Sequence, residues 1–591
     1  MKKITFFLQI VTLFIVLIAF QGCREEPLEV KELNRSGLDI DSYEKLFETF
    51  WDTMNNDYNF FNEQETNWDD IYREYSPKFK ALTTFTRSDA DVAKARKEAD
   101  IAFKYFAEIV TENIIDKHFA LTIKIPLRSV TGGNDFFKEH VVEEVFSRGM
   151  KYEYSEEEGF KRILPGQNNS TISVDNEITG KKLIPSTILD IKTTKNSPVL
   201  FSGSLKDASN TMYIRLTDFS LTKLGIERNF PELNNIDNLN YIVNKSVINN
   251  FKKFDSTLGE TLKELMKINI KDFKSLINKI LSSDEYKAYK EGLEEFKNKE
   301  LVDKLQNSLT PLISFIQSNK VNFETINNEI NELLIDNYFD ASTPENKKNA
   351  IARLFNEFES KINRYKQISG FVSKRIGVEG TEDLDAGLTY LRDFYHFDVF
   401  KKLFNPLTNG TVKKIIIDLR GNSGGFINDS RLFTDRFLTK QTVWGYDRTK
   451  EGNGRFNYSP WFPAYTTPHK FCLKKDIPIT ILIDYDSMSM SEDCTLRIKS
   501  QGDHVTIIGD NSRGGTAGLG STDRYNGGNQ SNNYYLDFYM PFMAFKDSQG
   551  NVIEGIGITP DIKVIPTKEE ANNYPNTGID PVFNKALEVL K

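Results

Sequence analysis

The sequence predicts an α/β protein that begins with a helical bundle and carries a large helical insertion. Three observations carry this. From Lys414 onward, short apolar runs alternate with helical segments, the pattern of a sheet covered by helices. From Asp41, aromatic and aliphatic residues recur three and four positions apart, as amphipathic helices require. Between about 225 and 370 the chain is rich in Lys, Glu, Asn and Leu and poor in Gly, with helical spacing throughout. The 591 residues leave room for roughly two to four structural units.

The N-terminus opens with Lys2 and Lys3, continues through an apolar run from Ile4 to Phe20, and reaches Gly22-Cys23 before an acidic stretch. This is a signal peptide whose end resembles a lipoprotein cleavage site, where the Cys is acylated. Phe20 and Gln21 depart from the usual preceding residues, and an ordinary secretory signal or an uncleaved anchor is the alternative. The expected organisation is then 1–23 signal peptide with lipidation at Cys23, 24–40 tether, 41–118 helical domain, 119–224 β-rich region, 225–370 insertion and 371–591 α/β domain.

Tyr43, Leu46, Phe47, Phe50 and Trp51 mark the first helix, and Trp68, Ile71 and Tyr72 the next. A helix over Ala99–Ile115 ends at Asp116-Lys117-His118, and Ala120–Ile123 reads as a strand. Alternation with Gly and Asn punctuation from about 125 to 210 suggests short strands, and Met212–Leu216 suggests another. The insertion has stripes at Leu301/Leu305/Leu309/Leu312, Ile326/Ile330/Leu333 and Ile351/Leu354/Phe355/Phe358/Ile362, read as core. Beyond it come a helix over Leu384–Leu403, strands at Lys414–Leu419, Ile479–Ile483 and Val505–Ile508, and a helix over Cys494–Lys499.

A formal net charge of −8 with no basic stripe argues against nucleic acid as a partner. No stretch after the signal is long and apolar enough to span a bilayer. With Cys23 acylated, Cys472 and Cys494 remain, as a disulfide or as two free thiols, and no Cys/His spacing suggests zinc. The expected location is the cell envelope of a Gram-negative bacterium, with the body held at the membrane by the lipid anchor.

Three segments carry chemistry. Asp418-Leu419-Arg420-Gly421-Asn422-Ser423-Gly424-Gly425 follows a strand, and adjacent glycines let backbone N–H groups approach a ligand. Tyr485-Asp486-Ser487-Met488-Ser489-Met490-Ser491-Glu492 also follows a strand and opens a helix. A hydroxyl there sits beside the donors that acyl transfer needs. The third segment is Glu554-Gly555-Ile556-Gly557-Ile558-Thr559-Pro560-Asp561.

In this order the segments resemble the tail-specific (C-terminal processing) serine protease family, strongly over about 385 to 565. The resemblance implies a crotonase-like catalytic core, a peptidase needing no metal or nucleotide, and peptide or protein substrates. It implies Ser489 as nucleophile, with Met490 and Gly424 or Gly425 supplying the oxyanion hole. Ser487 and Ser491 are then expected to bond the turn or cap the helix, and Asp418 and Arg420 to brace it. Where one branch of the family has a basic Lys, this chain has Gly515, and Lys499 is the nearest lysine, read as a surface residue. The other branch is tricorn-like or retinoid-binding-protein-like and uses a His from the N-terminal helical part, which His118 matches. An imidazole suits general-base work on a serine. Glu554 matches that branch's supporting Glu, while Lys117 stands where its Ser would be. Some relatives of that branch keep the fold and bind ligands. A catalytically inactive surface lipoprotein binding peptides or lipophilic ligands is therefore the alternative function.

Overall fold

A computed structural model describes residues 40–85, 91–127, 141–147, 181–192, 198–221, 278–319, 396–451, 454–516, 535–541 and 543–591, with residues 260, 275, 345 and 349. The expected signal peptide, Cys23 and the tether to residue 39 lie outside the described residues. So do the insertion's stripes beyond residue 319 and the start of the helix expected from Leu384. The strands are β1 (Ala120–Pro126), β2 (Val141–Ser147), β3 (Leu189–Lys192), β4 (Pro198–Ser204), β5 (Thr211–Leu216), β6 (Lys414–Asp418) and β7 (Val443–Thr449). They continue with β8 (Phe462–Tyr465), β9 (Ile479–Ile483), β10 (Val505–Gly509), β11 (Leu536–Tyr539), β12 (Met543–Asp547) and β13 (Ile562–Lys563). By contact the chain divides into two compact units. The first joins Met1–Glu156, Val443–Ala464 and Ser512–Ile558; the second joins Glu157–Thr442, Tyr465–Asn511 and Thr559–Lys591.

In the first unit, α1 (Tyr43–Asp57), α2 (Trp68–Lys80) and α3 (Val92–Asn113) form the bundle that the aromatic spacing predicts. Ser42 caps α1 by accepting from Lys45 N–H, and its buried face is Tyr43, Leu46, Phe47, Phe50 and Met54. Phe47 stacks on Phe79 at 4.8 Å, and Phe50 meets Phe106 edge-on at 5.3 Å. Trp51 and Trp68 each donate an indole N–H to the other's carbonyl. The bundle shares its core with an antiparallel sheet in the order β11–β1–β2. The helix before His118 is longer at its start than Ala99 and ends at Asn113, after which six irregular residues lead into β1.

The second unit holds a seven-stranded sheet in the order β13–β10–β9–β6–β5–β4–β3. The first five strands are parallel and the last two antiparallel. Ile415, Ile416 and Ile417 of β6 are all buried, since both faces of the sheet are covered. The α/β class is therefore as expected.

In the segment expected to be an insertion, α4 (Asp284–Lys299) and α5 (Asp303–Ser318) pack as a hairpin. Gly292 is where they touch: a Cβ there would lie 2.7 Å from Leu305 backbone. Leu305, Leu309 and Leu312 are buried as expected, but Leu301 is 42% exposed. It sits in the connection between the two helices, so helical periodicity does not govern it. Glu300 in that connection has φ of 55° and clamps the hairpin by accepting two bonds, 2.6 and 2.7 Å, from the buried Arg436 guanidinium. The segment after the Gly-rich loop holds a one-turn helix, Asp429–Leu432, and a 3₁₀ turn, Thr434–Phe437. Cys472 and Cys494 are both free, and burial pushes the Cys494 thiol up to about 12.

Candidate active site

In the second unit, β6 and β9 are parallel neighbours, so the loops leaving their carboxyl ends emerge side by side. The β6 loop carries Gly424 and Gly425; the β9 loop carries Ser489 and runs into α6 (Met490–Lys499). Three contacts clasp them. Gly421 N–H donates to Asp484 Oδ1 at 2.9 Å, Met488 N–H to Asn422 carbonyl at 3.0 Å, and Ser487 Oγ to Leu419 carbonyl at 2.9 Å. Ser487 thus bonds the turn as expected, whereas the buried Ser491 Oγ has no hydrogen-bond partner among the described residues.

Ser489 has φ of 58° and ψ of −123°, a backbone conformation that only glycine adopts without strain. The sharp turn from strand to helix leaves Ser489 partly exposed, while Met490 behind it is buried. The buried Glu492 carboxylate holds the turn by accepting Ser489 N–H at 3.1 Å. Met490 N–H is at the first position of α6, where no carbonyl of the helix can reach it and the helix dipole favours negative charge.

Gly424 lies against this turn. At its φ of 100°, a Cβ would sit 2.6 Å from Ser489 Cβ and 2.9 Å from Met490 N, so only glycine fits. Its own N–H, however, donates to Asn422 Oδ1 at 2.8 Å and is engaged within the loop. Gly425 is held by its neighbours: Phe219 N–H donates to Gly424 carbonyl and Phe426 N–H to Phe219 carbonyl, while Gly425 N–H pairs with no carbonyl of the described backbone. Of the two glycines expected to serve the oxyanion, Gly425 is the one whose N–H has no hydrogen-bond partner among the described residues. Asn422, whose Nδ2 also donates to Leu216 carbonyl at 2.8 Å, was not singled out by the sequence, because a buried Asn and a solvated loop Asn look alike there.

Beneath the loops, Arg420 forks onto Asp418 at 2.9 and 2.7 Å and onto Asp580 at 3.1 and 2.8 Å. Tyr213 hydroxyl also donates to Asp418. Burial opposes the Asp418 charge, but Arg420 outweighs it and holds the carboxyl below its usual range. Asp580 in turn caps the last helix, α8 (Pro581–Val589), which follows α7 (Lys568–Thr577). Asp418 and Arg420 thus brace the site from below. Lys499 is tied at the far end of α6 to Val505 carbonyl and Asp561, about 15 Å of helix from Ser489.

In the first unit, His118 and Glu554 come together with Asp116, which the sequence placed only as part of the helix end. A ring nitrogen of His118 and one carboxylate oxygen each of Asp116 and Glu554 lie within 4.8 Å of one another. Among the described residues this set has the donors and spacing to hold a metal ion, a role the sequence did not suggest. Asp116 Oδ1 accepts His118 backbone N–H at 2.8 Å, which fixes the turn carrying the imidazole. Glu554 is 1% exposed, so it is no surface carboxylate; it accepts Lys117 N–H at 2.8 Å and Thr516 N–H at 2.9 Å. Glu554 thus holds the backbone of the residue before His118, and the identity of the Lys117 side chain is immaterial to that bond. Burial pushes the imidazole down to about 4, and the buried Nδ1 has no hydrogen-bond partner among the described residues. The ring is neutral at ordinary pH and able to accept a proton.

Residues 387–564 match peptidase family S41. The Carboxy-terminal processing protease CtpB of Bacillus subtilis is 26% identical over 165 residues, 28% of this chain and 30% of that protein. The chain thus spans about a third of that relative's length. A peptidase structure from Parabacteroides merdae is 14% identical and covers 93% of this chain and 96% of its own, with a TM-score of 0.40. The photosystem II D1 C-terminal processing protease is 15% identical over 29% of this chain and 41% of its own, with a TM-score of 0.20.

Proposed function

We propose, from the match of residues 387–564 to peptidase family S41, that this chain is a serine peptidase of the tail-specific protease family acting through Ser489. Ser489 Oγ attacks the carbonyl carbon of a peptide bond while His118 accepts its proton. The N–H groups of Met490 and Gly425 take the charge that develops on the carbonyl oxygen. Collapse of the tetrahedral intermediate leaves an acyl group on Ser489 and passes the proton from His118 to the departing amine. Water, deprotonated by the same imidazole, releases the acid. Peptides or protein tails are the substrates.

The observation that carries the reading is the turn at Ser489. A non-glycine residue at φ of 58°, with a glycine fitted against it and a helix N-terminus behind it, is a conformation kept where the hydroxyl must be presented. A fluorophosphonate probe tests this: the wild type is expected to be labelled on Ser489, and Ser489→Ala to remain unlabelled. A wild type that stays unlabelled while binding peptides or lipophilic molecules makes the chain a ligand-binding relative instead.

The envelope location and the lipid anchor at Cys23 belong to the same proposal. Palmitate fed to cells producing the full chain is expected to label the protein, and Cys23→Ser to abolish the label. A wild type without label removes the anchor.

A further inference from the structure

The cluster of His118, Asp116 and Glu554 sets one ring nitrogen beside two carboxylates, with the three ligand atoms within 4.8 Å of one another. Ligands that share one ion of the zinc class, each about 2.0–2.2 Å from it, stand about 3.3–4.4 Å apart. A modest closing of the side chains therefore seats an ion. Both carboxylates are buried, and the buried Nδ1 of the imidazole has no hydrogen-bond partner among the described residues. Two carboxylates so close repel each other away from water, and a divalent cation between them offsets both charges.

The donors are also braced. Glu554 accepts Lys117 N–H and Thr516 N–H, and Asp116 Oδ1 accepts His118 N–H. A carboxylate oxygen keeps a second lone pair beyond such a bond, and metal-binding carboxylates are themselves held by hydrogen bonds of this kind. The bond from Lys117 N–H ties the turn carrying Asp116 and His118 directly to Glu554, so the spacing of the donors is set through the backbone. One nitrogen with two oxygens suits zinc or a similar transition ion, whereas magnesium and calcium take oxygen ligands.

We propose that His118, Asp116 and Glu554 bind a divalent transition-metal ion of the zinc class, and that the bound ion switches the peptidase off. This rests on the reading of His118 as the base and adds a control to it. A neutral imidazole has one nitrogen with a lone pair and one that carries hydrogen. Whichever nitrogen the ion takes, the other carries the hydrogen, and the ring has no place left for the proton of Ser489. Removal of the ion returns the lone pair, so the inhibition is reversible.

The test uses the full chain, stripped with EDTA and dialysed. Zinc chloride is titrated in by calorimetry, with magnesium chloride as the control, and the rate of Ser489 phosphonylation by a fluorophosphonate is read with and without each metal. The wild type is expected to bind one equivalent of zinc, to react at least about tenfold more slowly when loaded, and to recover on addition of EDTA. Magnesium is expected to leave the rate unchanged. Asp116→Asn, which keeps the side-chain shape and the Oδ1 acceptor, is expected to weaken zinc binding about tenfold or more, and His118→Ala to abolish it. Each protein's rate with zinc is compared with its own rate without zinc, so differences in basal rate do not enter. A wild type that is labelled equally fast with and without zinc, or zinc binding that is as tight after both substitutions, overturns the metal switch and leaves the peptidase standing. A wild type that is never labelled overturns the peptidase reading and the switch with it.

Discussion

At the scale of single residues, the strain at Ser489 is the feature with the clearest cost. Holding a side chain at φ of 58° and ψ of −123° destabilises the fold by about 1–3 kcal/mol, and glycine does not incur that cost. Ser489→Gly is therefore expected to be inactive yet more stable than the wild type by about 1 kcal/mol, measured by urea denaturation. A destabilised Ser489→Gly contradicts the idea that strain is held there for function. Ser489 was legible in the sequence because its place between an apolar strand and a helix is a local pattern. The engagement of Gly424 N–H by Asn422 was not, because which of two adjacent glycines points its donor outward depends on the bridge to Phe219, some two hundred residues away.

At the scale of elements, α6 must hold its N-terminus against the Gly-rich loop, and one buried group near it works against stability. Asp435 is 4% exposed, its Oδ1 has no hydrogen-bond partner among the described residues, and Arg497 of α6 approaches it only to 3.8 Å. Burial raises its carboxyl from 3.8 to about 6 despite that arginine. The folded protein thus binds this proton more tightly than the unfolded chain does, so stability falls as pH rises from 3.8 through about 6 and stays lowered above. The full cost is about 3 kcal/mol. Asp435→Asn removes it but also gives up the attraction to Arg497. The variant is expected to gain about 1–2 kcal/mol at pH 8 and nothing at pH 4, by denaturant titration at both values. The strands β5, β6, β9 and β10 were readable as apolar runs, because a parallel sheet covered on both faces leaves no polar alternation to confuse them. The short turns after Gly425 were not, since their residues are held by tertiary bonds such as Asp429 to Leu221 N–H rather than by helical propensity.

At the scale of the whole molecule, the chain distributes its chemistry over two compact units. Ser489, Met490 and Gly425, the proposed nucleophile and oxyanion donors, belong to one; His118 with Asp116 and Glu554 belongs to the other. The sequence pointed to the components through three short segments and the His118 match. It did not show that residues 443–464 and 512–558 fold with the N-terminal helices, because no local pattern records a partner several hundred positions away. In the proposed mechanism His118, not a lysine, activates Ser489. The most direct measurement is the rate of Ser489 phosphonylation by a fluorophosphonate between pH 4 and 10, in the wild type and in His118→Ala. With the imidazole held down to about 4, the wild-type rate is expected to be level above pH 5 and to fall only towards pH 4. His118→Ala is expected to lose at least about a hundredfold at every pH on the plateau. A wild-type rate that keeps climbing to pH 10, with His118→Ala reacting equally fast, would contradict it.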